Sequence, residues 1–311
     1  MTTAKTAAEH SALSSRAALA SVSLASILLL AKAWAAYQTD STAMLGSLAD
    51  TALDVVASLT TLMGVRIAAQ PADLDHRFGH GKAEALVSLA QVALITVSGV
   101  GIMWRAALRL MSRAETQAMD VGIVVSVFGI ALTFLLLGYQ RRVIKLTGSV
   151  AIKTDNVHYK ADLLLNFAVI IALILDQALR VPGADAIFGI GIALWLIWGA
   201  YRASSEAVNQ LMDREWPEEE RQQFLDAASQ YDELRGLHDL RTRKSGTLRF
   251  VQFHVWVPAN WTVQEAHDRL DQVEEQLQQR FPDTEILIHV DPEGQVDRET
   301  LLSQEITEQA S

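Results

Sequence analysis

The sequence predicts an α-helical membrane protein with six transmembrane helices, followed by a smaller soluble domain that mixes helices and strands. Three observations predict it. Half of the 311 residues are apolar, yet the formal net charge is -10, a combination that calls for segregation of the two kinds of residue. From Ser14 to about Ala207 the chain is a series of long apolar runs. From Arg214 onward Glu, Asp, Gln and Arg dominate.

A helix needs about 20 mostly apolar residues to cross the hydrocarbon core. Six segments qualify, at about 17–37, 42–67, 84–111, 119–139, 155–178 and 185–206. The first lacks a convincing small-residue cleavage site and runs directly into further spans, so it reads as a retained helix rather than a secretory signal. An even number of spans puts both termini on one side, and the retention of Lys and Arg in the cytoplasm says which. With the termini inside, the inner loops hold Arg77, Lys82, Arg141, Arg142, Lys145 and Lys153, against Arg105, Arg109, Arg113 and Arg180 outside. Trp34 and Trp104 then fall toward the outer interface, where indoles are comfortable. The expected organisation is an N-terminal cytoplasmic tail over 1–13, a membrane domain over 14–210, a cytoplasmic domain over 211–296 and a flexible tail over 297–311.

The chain has no cysteine, which excludes disulfides and thiolate metal sites and argues against monovalent copper, an ion that wants sulfur. The acidic balance makes nucleic acid an unsuitable partner.

Carboxylates nevertheless stand inside the apolar runs. Asp50 and Asp54 lie in "SLADTALDVV" of the second, and His158 and Asp162 in "NVHYKADLLL" of the fifth. Each pair is spaced i, i+4 and so projects from one face of one helix. An aspartate at the centre of a membrane helix costs about 2.5–3.5 kcal/mol, and three together roughly 10 kcal/mol, so a compensating partner is needed. Three carboxylates and one imidazole suit tetrahedral Zn2+ and would also accept Cd2+, Fe2+ or Mn2+. A proton relay uses the same residue types; helix-packing glue is the plainer alternative.

Two further clusters lie outside the membrane runs. In "QPADLDHRFGHGKAE" Asp73, His76 and His80 fall at spacings of three and four, with Asp75 beside them and glycines that let the loop fold around an ion. The soluble part reads as helix, strand, strand, helix, strand. Its helix over about 263–280 presents Val263, Ala266, Leu270, Val273 and Leu277 as a buried stripe. In the last strand Ile286, Ile288 and Val290 share one face, which leaves His289 and Asp291 on the other. His254 likewise lies opposite Val251, Phe253, Val255 and Val257. His238 precedes a polar stretch and His267 flanks the helical stripe. Of eight histidines, only His10 falls outside a cluster.

The segments "DTALD", "PADLDHRFGHGKAE", "HYKAD", "HDLRTRKSG" and "IHVDP" together resemble the cation diffusion facilitators, in particular bacterial zinc and iron efflux pumps of the YiiP type. The resemblance covers nearly the whole chain except the first dozen residues and the part after Val296. It implies proton-coupled efflux of divalent metal, zinc first, with cadmium or ferrous iron as further cargo, across a bacterial inner membrane. It implies that Asp50, Asp54, His158 and Asp162 form the transport site and Asp73, His76 and His80 a loop site. His238, His254, His267, His289 and Asp291 would form a cytoplasmic two-metal site, with Asp291 bridging. The resemblance also implies a ferredoxin-like, metallochaperone-like cytoplasmic domain that forms a homodimer, and a charge interlock of Lys82 with Asp213 between protomers. By themselves, Lys82 and Asp213 read as ordinary exposed charges.

Two rival readings differ in kind. A membrane-anchored metal sensor would make the intramembrane carboxylates dispensable, which their insertion cost opposes. A metalloenzyme would need an open coordination position and a separate base or nucleophile, and no residue stands out for it.

The sidedness is testable. Cysteines introduced at Thr3 and at Gln304 are expected to resist a membrane-impermeant thiol reagent in intact cells; labelling of either overturns the topology.

Overall fold

The computed structural model describes residues 2–39, 42–112, 120–179 and 184–294. The tail expected over 297–311 and the outer-side Arg113 and Arg180 lie outside these residues.

One compact unit covers His10–Val208, and a second begins at Asn209. The first is built from six long helices: α1 (Thr2–Thr39), α2 (Thr42–Ala68), α3 (Ala83–Ser112), α4 (Asp120–Thr147), α5 (Val150–Leu179) and α6 (Ala184–Leu211). Among the described residues five of them carry an apolar stretch long enough to cross a bilayer: Ala8–Gln38, Ser47–Ala68, Ala83–Leu108, Val127–Thr147 and Ile187–Leu211. α5 carries Lys153, Asp155, Lys160 and Asp162 in its first half. Leu30, Val97, Trp104 and Leu135 are exposed, as suits a unit whose outer solvent is lipid. The chain is a multi-pass membrane protein.

The helices run past the apolar segments that announced them. α1 starts at Thr2, where a short tail was expected, and α4 continues through Arg141, Arg142 and Lys145. Apolarity marks only the part in hydrocarbon, whereas the helix continues as long as it satisfies its own backbone groups. The α4–α5 link is very tight. Gly148, at φ 65, takes the left-handed conformation that ends α4 and donates its N–H to the Ile144 carbonyl at 2.9 Å, the usual role of glycine at a helix C-terminus. α5 then starts against α3: the buried carboxylate of Glu84 accepts from the Ser149 hydroxyl at 2.7 Å and from the Val150 N–H at 3.1 Å. A negative group is thereby set at the positive end of the α5 dipole.

In the second unit, α7 (Glu218–Ala228) and a 3-10 turn (Asp232–Leu234) precede β1 (His238–Ser245), β2 (Leu248–Val257), α8 (Val263–Arg280) and β3 (Thr284–Pro292). β2 is central, antiparallel to β1 and parallel to β3, so α8 is the crossover that a parallel pair requires. Thr262 and Glu265 form a capping box at its start. The helices cover one face of the sheet, where Phe224, Leu270, Val273 and Leu277 meet Val251, Phe253, Val255 and Val257 in one core with Trp216. Val263, expected in the buried stripe, is exposed; in the first turn it projects from the helix end instead of the packed face.

α2 and α3 pack closely at Gly64. A Cβ there would overlap the Val87 side chain. Gly64→Ala is expected to cost about 1–3 kcal/mol, the usual range for overpacking, seen as a lower melting temperature in detergent. Val87→Ala in the same chain should restore most of it, and no recovery would remove the close approach as the cause.

Candidate metal centre

α2 and α5 bring three ligand-type side chains together. His158 Nε2 lies 3.1 Å from Asp54 Oδ1 and 3.5 Å from Asp162 Oδ2. One ring nitrogen thus faces two carboxylates from two helices, and the three donor atoms lie within 4.8 Å of one another. All three side chains are partly buried. Asp50, the fourth expected member, is exposed one turn earlier on α2 and stands outside the group.

A polar network holds these helices behind the site. Asp155 is fully buried, and its carboxylate accepts from the Ser21 hydroxyl of α1 at 2.6 Å, from Gln140 of α4 at 2.7 Å and from Gln91 of α3 at 3.3 Å. Gln91 also donates to Thr61 of α2, and Asn156 donates to Gln140 at 2.9 Å. Tyr159, next to His158, donates to the Ser21 carbonyl at 3.0 Å, and its oxygen lies 2.8 Å from that of Ser58. Four other helices therefore fix the stretch of α5 that carries His158. Sequence reasoning missed Asp155, although it lies three residues before His158 and hence on the same stripe as Asp162.

The loop after α2 gathers Asp73, His76 and His80. Asp73 Oδ1 is 3.3 Å from His76 Nδ1, and its Oδ2 is 3.2 Å from His80 Nε2. The His76 and Asp75 N–H groups donate to the same carboxylate at 2.6 and 3.0 Å. The His76 N–H above all lowers the Asp73 pKa, so the carboxylate is kept in the ionised form a cation needs. His80 Nδ1 is buried without a hydrogen-bond partner. Gly79, at φ 76, supplies the left-handed step in this turn.

On the sheet, His254 and His289 are paired across β2 and β3, and His238 lies opposite His254 on β1. They stand on the face away from the helices. Asp291 is their hub: its Oδ2 is 2.8 Å from His254 Nδ1 and 3.4 Å from His238 Nε2, and its Oδ1 is 3.5 Å from His289 Nε2. His238 Nδ1 lies 2.7 Å from the Gly236 carbonyl, an orienting contact typical of ligand imidazoles. His267 does not join them; it is exposed on α8, which packs on the other face. Asp239, unforeseen from sequence, has its Oδ2 3.8 Å from His254 Nε2 and 2.9 Å from Arg241. Its placement depends on the irregularity in β1 between His238 and Arg241 and on its own left-handed φ of 50, neither of which a strand pattern reveals.

Lys82 is half-buried in the turn before α3, while Asp213 is exposed just after α6 with its Oδ1 3.6 Å from Arg243 Nη1.

Fold and donor groups together define a class, a multi-pass membrane protein carrying metal-type ligands inside and outside the bilayer. Residues 18–212 match the cation efflux transmembrane domain and residues 216–293 the cation efflux protein cytoplasmic domain, and the chain belongs to this family of cation diffusion facilitators. It is a membrane transporter and not an enzyme. The cation-efflux pump FieF of Cronobacter sakazakii is 40% identical over 284 residues, 91% of this chain and 94% of the relative. That of Serratia proteamaculans is 42% identical over 284 residues, with the same coverage of 91% and 94%. A solved structure, the metal-bound C-terminal domain of the CzcD transporter from Thermotoga maritima, is 23% identical and covers 26% of this chain and 100% of its own, with a TM-score of 0.25.

The hub role of Asp291 is testable on the second unit alone. Because Trp216 is part of its core, the segment should begin near residue 211 rather than at Glu218. Residues 211–294 are expected to bind more than one zinc ion per chain, and Asp291→Ala to remove most of that binding while neutral imidazoles remain. Unchanged zinc content in the variant would rule out the hub.

Proposed function

We propose that the chain exports divalent metal cations, zinc first, from the cytoplasm of a bacterial cell across the inner membrane in exchange for protons. The observation that carries this reading is the convergence of Asp54 and Asp162 on His158 Nε2 at 3.1 and 3.5 Å, between two membrane helices. Two carboxylates and an imidazole without sulfur form a hard to borderline donor set suited to Zn2+, with Cd2+ and Fe2+ as further cargo. Asp50, one turn away, completes a tetrahedral site when α2 shifts relative to α5. Alternating access then exposes the site to one side and to the other.

Protons enter through competition. Metal binds imidazole only in its neutral form, and an ordinary histidine titrates near about 6.5. An empty site that takes up protons outside releases them when cytoplasmic metal displaces them.

The sheet site is read as a resident two-metal centre. The Oδ2 side of Asp291, with His238 and His254, serves one ion; the Oδ1 side, with His289, serves the other. His267 cannot reach this face from its own chain, so a second copy supplies it and the assembly is a homodimer. Lys82 and Asp213 act as its charge interlock near the membrane surface, and both termini are cytoplasmic. Asp73, His76 and His80 form an accessory loop site.

The decisive measurement is zinc flux into proteoliposomes at fixed voltage under pH gradients of either sign. Flux is expected to rise when the side receiving zinc is the more acidic, with protons moving oppositely. Flux indifferent to the sign of the gradient, without proton movement, would leave a uniporter. In the same assay Asp54→Ala is expected to abolish flux, while His76→Ala combined with His80→Ala leaves a substantial part. Equal losses would make the loop a compulsory station.

A further inference from the structure

A cavity of about 400 Å³ opens between α4, α5 and α6, on the membrane unit. Its wall is apolar, made by Phe134, Leu137, Leu163, Leu164 and Trp195, and two cations, Arg141 and Lys160, line it as well. No acidic residue lines it. Among the described residues neither cation has a carboxylate partner. Two other cations of this unit are accommodated differently: Lys153 pairs with Glu206, and Arg202 lies 4.6 Å from the Trp198 ring centroid.

The two charges flank the end of the apolar stretch of α4 nearest the α4–α5 turn. From the α4–α5 turn back to Arg141 and forward to Lys160, a rise of about 1.5 Å per residue gives about 9 and about 15 Å. Cations in that position are costly unless they reach headgroup level or meet an anion. Lys160 lies two residues beyond His158, about 200° around the helix. It therefore faces away from the carboxylate–imidazole group, and the cavity is separate from the metal site.

We propose that this cavity seats an anionic phospholipid, its phosphate held between Arg141 and Lys160 and an acyl chain laid against Phe134, Leu137, Leu163 and Trp195. The charge complementarity selects the headgroup. A guanidinium and an ammonium together match a phosphate that carries no cation of its own, whereas a choline headgroup brings a competing positive charge. The apolar wall selects a lipid over free phosphate, which would gain nothing from it. A second copy of this chain would have to place an acidic side chain against both cations at once. Because α5 carries both Lys160 and His158, lipid seated here braces the helix that bears the ligands.

The test is native mass spectrometry of the full chain in detergent, titrated with phosphatidylglycerol or with phosphatidylcholine of the same acyl chains. The parent chain is expected to retain phosphatidylglycerol in preference to phosphatidylcholine, without displacement by inorganic phosphate. Arg141→Gln combined with Lys160→Gln is expected to weaken phosphatidylglycerol binding about thirtyfold, from the usual contribution of two cations near an anionic lipid. Exchange of the two cations, Arg141→Lys with Lys160→Arg, should keep it. Gly138→Phe gives an independent variant: Gly138 lines the cavity and an added Cβ meets nothing within 4 Å. The larger side chain should therefore fill the cavity, with both charges intact, and expel the lipid. If the double Gln variant does not fold, this one decides. Equal retention of the two lipids, unchanged phosphatidylglycerol binding in Gly138→Phe, or displacement by phosphate would overturn the proposal. So would a loss of dimer in the variants with lipid binding unaltered, which would give the cavity to a second copy.

Discussion

Asp155 is a carboxylate with no exposure, in a part of the chain surrounded by lipid, and a buried polar group without partners costs several kcal/mol. Its satisfaction recruits one donor from each of three helices, through Ser21, Gln91 and Gln140. Thr61, Asn156, Ser58 and Tyr159 extend the same network. Helices in a bilayer gain little from burying apolar side chains against one another, since lipid is equally apolar. Polar groups that lack an alternative partner therefore specify which helices meet and in what rotation. The position of His158, three residues from Asp155 and next to Tyr159, follows from that arrangement.

The three carboxylate–imidazole groups share one chemical plan on three different supports. Each places a carboxylate against imidazole nitrogens at 2.8–3.5 Å. In the membrane the support is a pair of helices, in the loop a turn closed by backbone N–H groups on Asp73, and in the second unit the exposed face of a sheet. The supports differ in how easily they move. Helices can slide or tilt as rigid bodies and carry Asp54 relative to His158. Strands locked in a ladder keep His254 and His289 side by side.

The departures from regularity serve the sites. The left-handed Asp239 turns a carboxylate toward His254 beside an irregular strand pairing. Gly148 and Ser149 compress the α4–α5 link, and Glu84 caps the start of α5 from the neighbouring helix. The polar half of α5 is thus secured at both its first turn and Asp155, and His158 and Asp162 lie just beyond.

Much was legible in the sequence because it depends on periodicity alone. Apolar runs of membrane length announce helices in any context, and the i, i+4 spacings put Asp50 with Asp54 and His158 with Asp162 on single faces. Strand alternation set His254, His289 and Asp291 apart from the core, and the α8 stripe was correct apart from Val263. What remained hidden depends on distances between segments far apart in the chain. Nothing local says that Ser21, Gln91 and Gln140 converge on Asp155, or that Arg141 and Lys160 share one cavity. Nor does spacing tell that His158 Nε2 meets Asp54 and Asp162 while Asp50 stays outside, because that depends on the relative rotation of α2 and α5. His267 shares the histidine pattern, yet its helix packs on the opposite face of the sheet. The sequence by itself determined which residues could bind a cation; helix rotation, sheet face and buried hydrogen bonds decided which of them meet, since those are set by packing between elements and not by the order of residues within them.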